Sequence, residues 1–381
     1  MRLFSTEQVS KYHPDKYADQ ISDSIVALAL TKNKNARCAV ETLVKNDTVV
    51  VAGEIGNVEL NKDEVEYAVK TVARELNYPV SKVINLLDVQ SAEISQAVEN
   101  ENGDIGAGDQ GFMVGYATRE TESYLPYAFD LANKIIERIE KSVITSGLFK
   151  GDAKTQVTVD LDTNEIKKVL VSVAHYEEFD LAFVQDCVKK LLGKLVNPDL
   201  LIVNPAGRWT VDGAVADCGL TGRKIVCDQY GGYTSVGGGA FSGKDLSKVD
   251  RSGAYAARNI AIDVLKKYGD VNSVEIQLAY AIGLSKPMSV NVKTDVPELN
   301  NEIFDYIEVN YDLRPRSLIR KLDLKPDDYS KLASGCHYKN GYVGDWSEWN
   351  DKKTRVDYLW HWHCFNICTK KNKGGRKWTN H

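Results

Sequence analysis

One stretch of the sequence has glycines and a lysine in a pattern that suits phosphate binding. It runs from Gly237 to Asp245, and Gly238 to Lys244 follow the spacing G-x-x-x-x-G-K of a phosphate-binding loop. Asp245 stands where that motif has the serine or threonine whose hydroxyl contacts magnesium. Glycines let backbone N–H groups approach phosphate oxygens, the lysine adds positive charge, and a helix is expected to follow. The stretch predicts phosphate binding, with a flexible glycine loop as the alternative.

Further charged residues come in short groups elsewhere in the chain. These groups are His13 to Lys16, Asp152 with Lys154, Arg223 with Lys224, and Lys248 with Asp250. A polyphosphate needs cations to neutralise its oxygens and carboxylates to hold the magnesium that bridges them. Any one of these residues could instead be a solvated surface charge. Their position among small residues favours a shared anion site.

The elements that must position these groups are hairpins and helices. Three pairs of strands are predicted, at 38–44 with 49–55, 156–160 with 169–173, and 274–282 with 288–292. Helices are predicted after Asn61, from about Leu131, and after Ser247 as far as Gly269. Hairpins followed by helices, without strict alternation of strand and helix, indicate an α+β fold.

The chain of 381 residues is long enough for two to three domains. Glycine- and charge-rich stretches predict boundaries near residues 100 and 212, which gives domains at 1–100, 101–212 and 213–351. The segment 352–381 has eight Lys and Arg residues against one Asp, with three tryptophans between them. We therefore expect 352–381 to be an appended basic, aromatic tail.

Composition excludes several classes of protein. Lys and Arg total 48 and Asp and Glu total 53, so the net charge of −5 opposes a general nucleic-acid coat or a basic membrane-surface protein. The longest aliphatic stretch, near 25–30, is far shorter than the roughly 20 residues that a membrane helix needs. Seven scattered cysteines and a polar N-terminus indicate free thiols in a reducing cytoplasm. We expect a cytoplasmic protein that binds neither membranes nor nucleic acid.

The charged groups belong to longer motifs. These are HPDK from His13, GAGDQG from Gly106, DCGLTGRK from Asp217, GGGAFSGKD from Gly237 and SKVDRS from Ser247. Together and in this order, the motifs resemble the S-adenosylmethionine synthetase (methionine adenosyltransferase) family. The resemblance extends from about Phe4 to about Trp349.

This resemblance implies a fold, an assembly and a reaction. The fold would be three similar sheet-and-helix domains about a pseudo-threefold axis, in a homodimer or dimer of dimers with active sites at the interface. The reaction would form S-adenosyl-L-methionine from ATP, L-methionine and water: sulfur attacks C5′, and the triphosphate is hydrolysed to phosphate and pyrophosphate. Because a thioether has no proton to lose, catalysis should depend on positioning and on electrostatic stabilisation of the leaving group.

The resemblance also implies roles for individual residues. Triphosphate contacts, and with them catalysis, would come from His13, Lys154, Arg223, Lys224 and Lys244. Asp152 and Asp217 would contact the ribose of ATP, Trp209 would stack on adenine in a pocket lined by Ile282, and Ala240 would be a further ATP contact. Methionine would be bound by Glu54, Gln90, Asp109, Asp217 and Lys248. The implied cofactors are two Mg²⁺ per site, ligated by Asp15 and Asp250, and one K⁺ per subunit at Glu41. For Trp209 and Ile282, a place in the apolar core is the alternative.

The chain departs from the family pattern in three places. Ser172 to His175 read Ser-Val-Ala-His in place of Ser-Thr-Gln-His, which removes two polar side chains near the adenine site. Gly151 stands where proline is usual. The stretch between Gln90 and Gly106, where the family has a gating loop, has few distinctive residues. We expect these changes to affect affinity or nucleotide selectivity rather than to abolish the chemistry.

The tail and the glycine loop leave alternatives open. In the tail, the spacing of His361, His363, Cys364 and Cys368 matches no standard zinc pattern, so a solvated or oligomer-packed extension is favoured over metal or RNA binding. A phosphohydrolase or kinase that uses the glycine loop is a second functional class, which the missing Ser or Thr after Lys244 opposes. A non-catalytic homologue is the third, and the intact charged motifs oppose it.

Overall fold

The computed structural model describes residues 2–90 and 106–346. Its strands are β1 Leu3–Val9, β2 Arg37–Lys45, β3 Thr48–Gly56, β4 Lys82–Val89, β5 Gly111–Thr118, β6 Phe149–Asp160, β7 Glu165–His175, β8 Leu201–Val203, β9 Gly219–Leu220, β10 Ser273–Tyr280 and β11 Ser289–Thr294. Its α-helices are α1 Pro14–Lys32, α2 Lys62–Glu75, α3 Tyr127–Ser146, α4 Leu181–Leu192, α5 Gly213–Ala216, α6 Ile225–Asp228, α7 Val249–Lys267, α8 Asn300–Asn310, α9 Pro315–Leu322 and α10 Pro326–Ala333. None of these helices is long and apolar enough to cross a membrane.

The strands form three sheets, in the orders β4-β3-β2-β9, β1-β6-β7-β8 and β11-β10-β5. The three predicted hairpins are confirmed, because β2 and β3, β6 and β7, and β10 and β11 pair antiparallel. In the first two sheets a further strand adds in parallel: β4 pairs with β3, and β8 pairs with β7. The predicted α+β class is confirmed, with one sheet for each hairpin.

Each sheet takes one edge strand from another part of the chain. β1, which precedes the first hairpin in the chain, pairs with β6. β5 pairs with β10, and β9 pairs with β2. The exchange runs in the same sense through all three sheets, as a pseudo-threefold arrangement requires. Each of these strands is followed, directly or after short elements, by a long helix of 19 or 20 residues: α1, α3 and α7.

The local signals for two predicted helices are present as expected. Asn61 caps α2 in a full capping box: its side chain accepts from the Glu64 N–H, and the Glu64 side chain accepts from the Asn61 N–H. Helix α7 ends at Lys267, two residues before Gly269. Both helices direct an apolar face towards the large core that they share with α1.

The central helix α1 was not predicted from the sequence. Pro14 occupies its first turn, and the His13 side chain caps it by accepting from the Asp15 N–H. The helix is buried on nearly every side, yet it carries Asp19 and Asp23 among its buried residues. A helix that packs on all sides has no single apolar face, so the spacing of its apolar residues does not reveal it.

The first sheet has an outer face that no described element covers. One row across its four strands is apolar, where Leu220, Leu43, Val50 and Ile84 lie side by side. Leu43 and Leu220 are 38% and 37% exposed. In the next row Glu41 lies beside Ala52, which in turn lies beside Leu86. We call this surface the outer face of the first sheet.

Candidate active site

The first group of predicted site residues surrounds Asp15 at the N-terminus of α1. The Asp15 carboxylate lies 2.5 Å from Lys224 Nζ and 3.6 Å from Arg223 Nε. It also accepts a hydrogen bond from the Leu220 N–H at 3.0 Å. The motif that begins at Asp217 is thereby held against α1. We call His13, Asp15, Lys154, Arg223 and Lys224 the Asp15 cluster.

His13 is buried and uncharged in this cluster. Burial, together with the positive charges of Lys224 and Lys154, lowers its pKa to about 3, against the opposing effects of Asp15 and Asp217. Its Nδ1 accepts the Asp15 N–H at 3.1 Å, so the proton of the neutral ring is on Nε2. His13 therefore presents one N–H donor and no positive charge.

The predicted ribose contacts lie beside this cluster. Asp152 is buried, and its Oδ2 accepts the Gly213 N–H at 3.1 Å. Burial raises the pKa of Asp152 to about 7, and the negative charges of Asp212 and Asp217 act in the same direction. Its Oδ1 is buried without a hydrogen-bond partner among the described residues. A buried polar atom of this kind is suited to a ligand hydroxyl or to a water molecule.

Two of the departures from the family pattern have a structural account. Gly151 has φ +118°, and a Cβ there would lie 2.6 Å from the Tyr12 ring, so its backbone is one that proline cannot adopt. Val173 and Ala174 are fully buried in β7. Their strand ends at His175, whose N–H donates to the Trp209 carbonyl at 2.9 Å. Trp209, the predicted adenine contact, is therefore attached to the altered strand.

The second group surrounds Asp250 on the glycine-rich stretch. Lys244 Nζ lies 2.5 Å from Asp250 Oδ2, and Lys248 Nζ lies 2.8 Å from Asp245 Oδ2. A Cβ on Gly239 would overlap the Asp250 carboxylate. Close approach of the backbone to this carboxylate therefore requires glycine at that position. We call Lys244, Lys248 and Asp250, with the loop 237–243, the Asp250 cluster.

The glycine-rich stretch differs from a phosphate-binding loop of the strand–loop–helix type. It crosses β2, where the Val40 N–H donates to the Gly243 carbonyl at 2.9 Å. The expected helix is α7, but it begins at Val249, five residues after Lys244. Asp245 has a structural role instead of the missing hydroxyl: its Oδ2 accepts the Cys38 N–H at 2.6 Å. The anion-binding features are the lysine and the glycines, without a helix N-terminus directly behind them.

The residues predicted to bind methionine and potassium lie on two neighbouring surfaces. Glu41 and Glu54 are on the outer face of the first sheet, and the Gln90 N–H donates to Ile55 at the end of β3. Asp109 is exposed, two residues before Gly111, where a Cβ would lie 3.8 Å from the Asp250 carboxylate. Ile282 is 53% exposed, so it is not part of the core.

The Asp15 and Asp250 clusters meet at one point. A Cβ at Gly222, in the motif of the first cluster, would lie 2.6 Å from the Cβ of Ala240, in the second. Two of the predicted ATP contacts, Trp209 and Ala240, are each half-buried. The structure thus brings the residues predicted to bind the triphosphate into two adjoining groups. Each group contains an ion pair between a lysine and an aspartate.

Several residues that hold these clusters were missed by the sequence analysis. They are Asp19, Asp23, Asp228 and Arg251. They form buried ion pairs beneath the clusters, with Lys16, which the sequence analysis grouped with the anion site, bound to Asp19 and Asp228. The available signal was the spacing of Asp15, Asp19 and Asp23 at intervals of four, which places them on one side of a helix.

Parts of the prediction lie outside the described residues: most of the gating stretch between Gln90 and Gly106, the boundary near residue 100, and the whole of 352–381 with its His and Cys residues. The five cysteines in the described ranges are free thiols. In those same ranges there is no group of three or more His, Cys, Asp or Glu residues that could hold a metal ion.

The fold and the paired clusters define an α+β protein of three sheet units with a cation-rich site suited to a highly charged anion. Comparison with known families gives its place: models of the S-adenosylmethionine synthetase N-terminal, central and C-terminal domains match residues 1–102, 104–209 and 211–350. The chain belongs to the S-adenosylmethionine synthetase family. The resemblance identified from the motifs is therefore confirmed.

Individual relatives agree with this assignment. The chain is 40% identical over 375 residues to the S-adenosylmethionine synthase of Clostridium botulinum, with 88% of this chain and 94% of the relative covered. It is 39% identical over 357 residues to that of Mycoplasmopsis synoviae, with 88% and 92% covered. A solved structure described as an unusual S-adenosylmethionine synthetase from Campylobacter jejuni has a TM-score of 0.82 at 32% identity. That match covers 94% of this chain and 100% of the other.

Proposed function

We propose that this enzyme forms S-adenosyl-L-methionine from ATP, L-methionine and water, and releases phosphate and pyrophosphate. The observation that carries the proposal is the pair of adjoining clusters, in which Lys224 lies on Asp15 and Lys244 lies on Asp250. A triphosphate has the charge to engage both lysines. Membership of the family supplies the reaction that such a site serves.

The triphosphate is the leaving group, and stabilising it is the main task of the site. Lys154, Arg223, Lys224 and Lys244 bring positive charge to it, and His13 adds a neutral N–H donor. Because the low pKa of His13 keeps its ring uncharged, it can donate from Nε2 across the whole neutral pH range without titrating. These donors are fixed before reaction, which is the condition for strong electrostatic catalysis.

Methionine reacts through its thioether sulfur, so no base is required in the proposal. Its ammonium group would face Glu54 and Asp109, and its carboxylate would lie near Gln90 and Lys248. Sulfur attack on C5′ creates a sulfonium, and the Asp109 carboxylate is suited to stabilise that charge. Asp217 would contact both the methionine and the ribose.

The nucleoside would bind between Asp152 and Trp209. Asp152 has an unpartnered oxygen for a ribose hydroxyl, and Trp209 supplies a ring for stacking on adenine. Ala240 and Ile282 would complete the pocket. Since Val173 and Ala174 offer no polar side chain, adenine recognition would depend on backbone groups and stacking.

The residues present fit the two proposed metals. Asp15 and Asp250 are single carboxylates from different segments, and magnesium is commonly held by one or two carboxylates together with substrate phosphates. We propose two Mg²⁺ per site, which would neutralise phosphate oxygens, and one K⁺ per subunit near Glu41.

We further propose a homodimer or dimer of dimers with the active sites at the interface. The outer face of the first sheet presents an apolar row with Leu43 and Leu220, and Glu41 and Glu54 lie on the same face. Pairing of two such faces would bury the apolar row. It would also bring the methionine-binding residues of one subunit towards its partner.

The test uses the full-length chain with ATP, Mg²⁺ and K⁺, with and without L-methionine. Sulfonium product, phosphate and pyrophosphate are measured together, and single omissions of each ion test the cofactors. Equal amounts of the three products, formed only with methionine, are expected. Loss of ATP without methionine would replace the proposal with a phosphohydrolase, and bound nucleotide without turnover would replace it with a non-catalytic homologue.

A further inference from the structure

Helix α1 carries three aspartates on one side, one turn apart. Asp15 belongs to the proposed site, whereas Asp19 and Asp23 lie deeper and are completely buried. Side chains four residues apart on a helix lie one above the other. The buried pair has no part in the proposed substrate contacts, so its retained charge calls for another explanation.

Asp19 holds the segment that carries the first two cations. Its Oδ1 accepts the Gly222 N–H at 2.9 Å, and Gly222 directly precedes Arg223 and Lys224 in the chain. Its Oδ2 lies 2.9 Å from Lys16 Nζ, which also lies 2.6 Å from Asp228 Oδ1. Both oxygens are therefore used, one on the cation-bearing backbone and one on a buried counter-charge.

Asp23 holds the other segment in the same way. Its Oδ1 accepts the Gly243 N–H at 2.9 Å, one residue before Lys244. The Arg251 guanidinium binds both carboxylate oxygens at 2.7 and 2.8 Å. The same guanidinium donates to the Phe241 and Lys244 carbonyls at 3.0 and 2.9 Å. One buried ion pair thus fixes the loop at three backbone positions.

We infer that Asp19 and Asp23 are positioning residues that set the distance between the two cation-bearing segments. The inference rests on the proposed function, because it assumes that one triphosphate engages both segments. A single rigid helix carries both aspartates, so it keeps the segments in register. A misplacement of about 1 Å in such a site can cost about a hundredfold in rate.

The test compares two variants with a matched control. Asp19→Asn and Asp23→Asn each keep an oxygen that can accept the glycine N–H but remove the charge opposite Lys16 or Arg251. We expect kcat to fall about 10- to 100-fold. The KM for methionine should stay within about twofold, since the methionine contacts are elsewhere. Titration of the folded variants with inorganic tripolyphosphate and Mg²⁺ should show binding weakened about tenfold, in line with the lost register.

The control is Asp263→Asn, at the other end of α7. Asp263 also accepts several hydrogen bonds, from the hydroxyls of Tyr311 and Tyr342 at 2.9 and 2.5 Å and from Trp346 Nε1 at 2.8 Å. This variant should lower thermal stability but leave kcat and tripolyphosphate binding unchanged. An equal loss of kcat in the control would reduce the effect to general destabilisation and overturn the inference.

A double variant guards against failure to fold. Asp23→Asn with Arg251→Gln removes both charges, so no unpaired buried charge remains. We expect it to recover most of the parent's thermal stability while kcat remains low. Recovery of full kcat together with stability would overturn the positioning role.

If Lys244→Ala binds tripolyphosphate normally, the proposed function itself fails. If Lys244→Ala is impaired and folded Asp23→Asn is not, only this inference fails.

Discussion

The Asp15 and Asp250 clusters have the same charge pattern in different surroundings. In each, a lysine lies 2.5 Å from an aspartate, and the two lysines are similarly exposed, at 21% and 19%. Asp15, however, is 2% exposed on a helix N-terminus, whereas Asp250 is 11% exposed beneath a glycine loop. The first cluster is built on a buried helix N-terminus, and the second on a glycine-rich backbone that the buried Asp23–Arg251 ion pair holds in place. The difference indicates that a helix anchors one end of the triphosphate, whereas glycines let the backbone approach the other end.

The largest effect is expected from removal of the lysine of the Asp250 cluster. Lys244→Ala should lower kcat by about 10²- to 10³-fold, the cost of losing one stabilising donor to the leaving group, while methionine affinity changes little. Steady-state kinetics and methionine titration measure the two quantities. Lys293→Ala, on exposed β11, is the control. Near-normal turnover of Lys244→Ala would remove this residue from the mechanism, and a much smaller effect than that of Lys224→Ala would weaken the comparison.

A somewhat smaller effect is expected from a charge on the outer face of the first sheet. Leu43→Asp places a carboxylate in the apolar row, which should dissociate the proposed dimer and lower activity at least tenfold at low enzyme concentration, since a lone interface charge costs several kcal/mol. Sedimentation velocity reports the assembly. Tyr67→Asp, on the solvent side of α2 where Tyr67 is 68% exposed, is the control. Dissociated Leu43→Asp protein with full activity would show that each site lies within one subunit.

A matched pair of glycines tests the backbone of the Asp250 cluster. Gly239→Ala adds a Cβ that overlaps the Asp250 carboxylate, so we expect kcat to fall about tenfold as that carboxylate is displaced. Gly238→Ala adds a Cβ that meets nothing within 4 Å, and it should be close to the parent. Kinetics at several Mg²⁺ concentrations distinguish them. Equal activity of the two variants would contradict a close approach at Gly239.

The smallest effect concerns stability on the anchor side. The pKa of Asp152 is raised to about 7, above its ordinary 3.8, so its contribution favours folding most below about pH 4 and is lost as the pH rises to about 7. Asp152→Asn removes this titration, and the free energy of unfolding should fall less steeply across that window. Urea unfolding of the nucleotide-free protein at a series of pH values measures it. Exposed Asp270→Asn is the control, and identical pH profiles for parent and Asp152→Asn would contradict the raised pKa.

Local features of this fold could be predicted because local physics produces them. The capping box at Asn61 and the three hairpins depend on residues within a few positions of each other, and all are present. The charged motifs likewise mark the two clusters, because glycines and a lysine at the spacing of a phosphate-binding loop are a local signal.

The rest depends on contacts between distant parts of the chain. Nothing near Leu3–Val9 indicates that this strand pairs with β6, about 150 residues later. Helix α1 was missed because burial on all sides leaves no periodic pattern. Asp19 and Asp23 could not be distinguished from surface charges, because their partners Gly222 and Gly243 come some 200 residues further on.

The exchange of edge strands also affects how the chain can fold during synthesis. The first sheet cannot close until Gly219–Leu220 leaves the ribosome, and β1 has no partner until 149–160 has been made. The N-terminal third therefore emerges with an unpaired strand and an open sheet edge, which are hazards for aggregation. Nascent chains should need protection until the last third appears, after which all three sheets can close together.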